Sequence, residues 1–144
     1  MRISEILRRK GSDVATVAPD TTVRALLATL AERNIGAVVV SPDGNTIAGI
    51  VSERDVVRSL HAWGADLLDT PVLAIMTSVV RTCAPDDRVD GLRRTMTDHR
   101  IRHLPVVQDG RLVGIVSIGD VVKSAISELA DEREHLVEYL QGRY

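Results

Sequence analysis

Two short motifs carry most of the groups that can do chemistry in this chain. Ser52-Glu53-Arg54-Asp55 and Ser117-Ile118-Gly119-Asp120 each place an acid three residues after a serine, where an apolar run gives way to a helical pattern. At a helix start this spacing makes a capping box, in which the hydroxyl takes an N–H one turn on and the acid returns to the serine's own amide. The same geometry leaves free N–H groups at the positive end of a helix dipole, which favours a phosphate. It also presents a carboxylate able to accept two hydrogen bonds from a cis-diol such as a ribose. A bare anion would be repelled by that acid, so the pair suits a nucleotide better than phosphate alone. The cap and the nucleotide site both remain open on these residues.

The other reactive groups are sparser. Arg102-His103 stand at the entry to an apolar strand, where the first half of the chain has Gly36-Ala37. If the halves face each other, cationic charge for a phosphate gathers at one site, and Arg54 adds to it. Cys83 is alone in an apolar setting with no activating neighbour and reads as core. His61, His99, His103 and His135 lack metal-ligand spacing, and no phosphate-binding glycine loop is present. No paired nucleophile and base emerges, so no catalysis is expected.

The two motifs belong to a longer duplication. Gly49-Ile50-Val51-Ser52 returns as Gly114-Ile115-Val116-Ser117, and Asp55-Val56-Val57 as Asp120-Val121-Val122. Pro19-Asp20 and Ile35 likewise match Pro85-Asp86 and Ile101, with one extra residue near Asn45 reconciling the registers. Each half reads helix, strand, strand, helix. Val23, Leu26, Leu27 and Leu30 mark one buried helical face, with Thr21 or Thr22 as cap, and Val89, Leu92 and Met96 mark its counterpart. Strands are predicted over 35–40, 47–51, 101–107 and 112–116, around turns at Pro42–Asn45 and Asp109-Gly110. Helices follow Ser52, to about Trp63, and Ser117. Short helical pieces precede each half at 3–7 and 72–77, and 61–71 reads as a connector. Ile126, Leu129, Leu136, Val137 and Leu140 continue the last helix with an apolar stripe that must pack on its own domain or on a partner copy. Trp63, at a helix end, reads as packing.

Bulk properties bound the function. The 144 residues suffice for one domain or two closely packed half-domains. A net charge of −2 points neither to nucleic acid nor to an anionic membrane. With no Phe, one Trp and two Tyr, stacking platforms for single-stranded nucleic acid are not expected. No apolar run spans a membrane or resembles a secretory leader, and one cysteine allows no internal disulfide, so a cytoplasmic protein is expected.

Taken together, the repeated G-h-h-S-x-x-D ending and the Met76-Thr77 that leads into the second copy resemble a tandem pair of CBS domains, the family named after cystathionine β-synthase. Ile101 to Val107 and Gly110 to Asp120 carry the resemblance most closely, and it extends from Ile3 to about Ser127. It implies an α/β (α+β) fold of two pseudo-twofold related repeats, each a small sheet with packed helices, plus a C-terminal helix. The corresponding boundaries are 1–66 for repeat 1 with its helical lead-in, 67–127 for repeat 2, and 128–144 for the C-terminal amphipathic helix. It also implies two clefts for adenosine ligands: AMP most of all, or NAD, NADH, ATP, ADP or S-adenosylmethionine. One cleft would use Ile50, Ser52, Arg54 and Asp55 with Thr77, Val80, Arg81, Arg102 and His103. Asp55 would hold the ribose, Thr77 and Val80 the base, and Ser52, Arg54, Arg102 and His103 would face the phosphate. The other would use Ile115, Ser117 and Asp120 with Lys10, Val14, Ala15, Ile35, Gly36 and Ala37. There Gly119 replaces Arg54 and Gly36-Ala37 replace Arg102-His103, which weakens its expected hold on phosphate. The implied role is a regulatory, non-catalytic sensor in signalling, a homodimer that acts on an effector protein and needs no membrane. A ligand-free interaction scaffold and a nucleic-acid-binding regulator are the alternatives.

Overall fold

A computed structural model describes residues 1–11 and 13–142; Ser12 and the last two residues of the expected C-terminal helix, Arg143 and Tyr144, lie outside the described residues. The first half runs α1 (Ile3–Lys10), β1 (Thr16–Val17), α2 (Val23–Arg33), β2 (Ala37–Val40), β3 (Gly49–Ser52) and α3 (Glu53–Trp63). Two 3-10 turns, Gly64–Asp69 and Val72–Ala74, connect it to α4 (Val89–His99), β4 (His103–Gln108), β5 (Arg111–Ser117) and α5 (Ile118–Leu140). Thr22 caps α2 through a 3.2 Å bond from the Ala25 N–H. Helix α5 passes through residue 128 without a break, so the last helix of the second repeat and the C-terminal helix are one element.

Each half forms a small sheet. In the first, β1 runs parallel to β2, and β2 antiparallel to β3 with Ala37 opposite Ser52. In the second, β4 pairs antiparallel with β5, with His103 opposite Ser117, and the bridge Cys83–Val106 takes the place of β1. The Asn45 carbonyl, beside the extra residue of the first half, accepts the Leu112 N–H of the second at 3.0 Å.

The packing order differs from the chain order. Ile3 and Ile6 of α1 are buried in one cluster with Val89, Leu92, Met96, Leu104, Val106 and Val116, all from the second half. Val72, with Ile75 and Met76, joins Val23, Leu26, Leu30, Val38 and Val51 of the first. The lead-in to each half therefore completes the core of the other. Burying each such aliphatic side chain contributes about 1.5–3 kcal/mol, so the exchange fastens the halves together.

Backbone bonds repeat the exchange in register. Ile3 and Ser4 donate to Asp87 and Pro85, while Val72 and Leu73 donate to Thr21 and Pro19. The two lead-ins differ in length: Leu7 lies ten residues before Val17, and Met76 only seven before Cys83. The three additional residues fall in or just after the last turn of α1, which carries Arg8, Arg9 and Lys10.

Candidate functional site

Both Ser-x-x-Asp motifs fold as capping boxes. Strand β3 ends at Ser52, whose extended backbone turns directly into α3, and β5 ends at Ser117 in the same way before α5. The Asp55 and Asp120 N–H groups donate to the serine hydroxyls at 3.4 and 3.2 Å. Both acids are half-buried. The cap explains why serine and acid occur at this spacing, and it holds two carboxylates fixed at helix starts where the Glu53 and Ile118 N–H groups donate to the Gly36 and Arg102 carbonyls.

The two carboxylates are held differently. Asp55 Oδ2 accepts the N–H of Ser52 at 2.8 Å and its hydroxyl at 3.1 Å, and no ion pair reaches it among the described residues. Asp120 Oδ2 accepts the Ser117 N–H at 2.9 Å and the Lys10 ammonium at 2.7 Å. Lys10 also donates to the Ile115 carbonyl at 2.8 Å. Burial raises the Asp120 carboxyl, but Lys10 and the Ser117 N–H more than offset this and hold it below its ordinary value.

Around Asp55 the structure gathers part of the expected set. Ile50 and Thr77 exchange backbone hydrogen bonds at 3.0 and 2.9 Å, so the connector adds a short antiparallel edge to β3 beside Ser52. Gly49 permits that approach: a Cβ there would lie 2.8 Å from the Thr77 carbonyl oxygen and 2.6 Å from Met76 Sδ. Arg54 is exposed on the first turn of α3. The parallel bridge at Cys83 carries the preceding Val80 and Arg81 toward the start of β4.

Around Asp120 the outcome is mixed. Lys10 and Ile115 meet directly, and β1 draws the preceding Val14 and Ala15 toward Ala37. Ala15 and Ile35 pack against the first core, and Ala37 is buried. These three contribute backbone and shape there rather than free side chains.

His103 lies close to both clefts. Its Cε1 lies 3.7 Å from where a Gly36 Cβ would stand, with Glu53 Oε1 3.4 Å from the same point. Burial, then the nearby Lys10, lowers its pKa, against opposing effects of Asp120 and Glu53. The neutral ring is thereby favoured, and it lies between the two Ser-x-x-Asp turns. Lys10, expected in the Asp120 cleft, is bonded to Asp120 itself.

Other sequence expectations divide in the same way. Cys83 is buried, bonds the Pro105 carbonyl, and is pushed up to about 12 by burial and then by Asp87, an inert core thiol. Trp63 is 46% exposed rather than packed. Ile126, Leu129, Leu136, Val137 and Leu140 are all exposed, so this chain does not cover its own stripe, and Val57, Leu60 and Val122 are exposed with them. No helix of the described residues is long and apolar enough to cross a membrane, and no cluster of three or more metal-ligating side chains occurs among them.

Comparison with known proteins agrees with this architecture. The CBS domain family matches twice, over residues 3–62 and 72–127. The mitochondrial CBS domain-containing protein CBSX3 of Arabidopsis thaliana is 36% identical over 150 residues, covering 99% of this chain and 73% of the relative. The crystal structure of a CBS-domain containing protein from Agrobacterium tumefaciens superposes with a TM-score of 0.84 at 42% identity, covering 87% of this chain and 99% of the other. A CBS domain protein from Pyrobaculum aerophilum, solved in complex with AMP, superposes with a TM-score of 0.77 at 32% identity, covering 91% and 99%.

Proposed function

The chain belongs to the CBS-domain family, and from that premise we propose that it is a regulatory module that binds an adenosine ligand, AMP foremost, and passes its occupancy to another protein without doing chemistry. The observation that carries the reading is the Ser52–Asp55 pair: a half-buried carboxylate, bonded among the described residues within its own cap, at the start of α3 and beside the Ile50–Thr77 edge. Its residues fit the ligand. A carboxylate accepts ribose hydroxyls, and the helix start with Arg54 favours phosphate. The complex of the Pyrobaculum relative with AMP supports the same choice.

Occupancy is read as a population shift, whose size is set by the ligand's difference in affinity between two packings of the halves. Two exposed apolar faces, Val57 and Leu60 on α3 and Val122, Ile126 and Leu129 on α5, are the surfaces proposed for a second copy.

Calorimetric titration with AMP, ATP, NAD, NADH and S-adenosylmethionine, with GMP as control, tests the reading. Micromolar binding of an adenosine ligand that GMP does not share supports it, and the stoichiometry counts the working clefts. Failure of the whole panel to bind refutes it and leaves the two motifs as helix caps on an interaction scaffold. Light scattering on the same samples tests the dimer, which a monomeric mass would exclude.

A further inference from the structure

The last turn of α1 has no counterpart in the other lead-in, and it brings Lys10 to the Asp120 cleft. Counted from the side chains that lie over the matching glycines (Leu7 over Gly114, Met76 over Gly49), the first lead-in is three residues longer. That is nearly one helical turn. At its end Lys10 reaches Asp120 at 2.7 Å and the Ile115 carbonyl at 2.8 Å. On the other side the Ile50 carbonyl, the counterpart of Ile115, is taken instead by the Thr77 backbone N–H.

We propose that Lys10 is the specificity-determining residue of the Asp120 cleft, restricting it to anionic nucleotides and rejecting neutral and sulfonium nucleosides. The inference rests on the adenosine-binding reading and deepens it. When ribose hydroxyls bond the Asp120 carboxylate, its negative charge stays beside Lys10. The ammonium has three N–H donors, of which Asp120 and the Ile115 carbonyl take two, so one remains for an anion on the same ribose. A phosphate supplies that anion, whereas adenosine offers none and a sulfonium adds repulsion. Among the described residues no ion pair holds a cation on Asp55, so its cleft lacks this fixed ammonium.

The test uses the full chain carrying Asp55→Ala, which isolates the Asp120 cleft, with AMP and adenosine as probes. The expected result is a preference for AMP over adenosine of about tenfold or more, the scale of one charge-assisted contact. Adding Lys10→Met should reduce the preference to about threefold or less by weakening AMP and sparing adenosine, while Lys10→Arg should preserve it. An unchanged preference in Lys10→Met overturns the proposal. So does equal tightening of both ligands, which would make Lys10 a plug on the acid rather than a reader of phosphate. AMP binding to the unsubstituted chain but not to Asp55→Ala overturns this inference alone. No AMP binding to either overturns the adenosine reading together with it.

Discussion

Asp55 and Asp120 occupy equivalent helix starts built from the same residue types, yet their surroundings differ. The Asp55 carboxylate is held by Ser52, one turn away in the same motif, so its bonds form as soon as α3 forms. The Asp120 carboxylate is held partly by Lys10, a hundred and ten residues away in the chain. The Asp55 position is a local device; the Asp120 position reports whether α1 is docked. Duplication thus yields two sites of one ancestry and two couplings. The difference arises from a lead-in about one turn longer, without any change in the Ser-x-x-Asp motif itself.

This contrast breaks most sharply in binding. Asp55→Ala should remove most AMP affinity, by about a hundredfold, the scale of two hydrogen bonds to a charged acceptor. Asp120→Ala should cost about tenfold or less, because that acid already shares its charge with Lys10. Calorimetry on both variants settles the order, and equal losses would mean the ammonium makes no difference to ligand binding.

The contrast extends to the glycines beneath the lead-ins. A Cβ at Gly49 meets the Thr77 carbonyl oxygen, part of a backbone bridge, whereas one at Gly114 meets only the tip of Leu7. Rigid backbone cannot yield as a side-chain end can. Gly49→Ala should therefore lower the unfolding free energy by about 2–3 kcal/mol and Gly114→Ala by about 1 kcal/mol or less. Urea midpoints of the two variants provide the measurement, and similar losses would mean that Leu7 is held as firmly as the Thr77 backbone.

Much of this was legible in the sequence because its causes are local. Val23, Leu26 and Leu30 sit at helical spacing, and Ser52 and Asp55 are three residues apart, so periodicity and capping identify them before any tertiary contact forms. The duplication then brought the resemblance to the CBS family. The exchange of lead-ins was not legible, because the apolar Ile3 and Val72 say that they are buried without saying in which core. Lys10 was expected at the Asp120 cleft, but its ion pair depends on the length of the segment before Val17, where the two halves do not align without a gap. For His103 a charged neighbour and a strand end suggest a phosphate ligand, and only the fold shows its partial burial beside Lys10. One signal was available for the difference in length, since Arg8, Arg9 and Lys10 follow Leu7 directly, whereas Thr77, Ser78 and Val79 follow Met76.

The smallest expected effect is also the one that separates charge from shape at Asp120. Asparagine in its place keeps the size of the side chain and loses the ion pair with Lys10. Because the folded-state pKa of Asp120 is depressed, its charge contributes stability above the unfolded value of about 3.9. That contribution is lost as the pH falls through the lower folded value. Asp120→Asn should therefore be less stable than the unsubstituted chain by about 1 kcal/mol at pH 7, a figure reduced by the partial exposure of Lys10. The gap should persist at pH 5 and narrow below pH 4 as the native acid takes up its proton, which a series of urea melts follows directly. A gap that stays constant into acid would assign the loss to the cap geometry instead. The tie between α1 and α5 would then rest on Ile3, Ile6 and Val121 in their shared core, with the ion pair as its consequence.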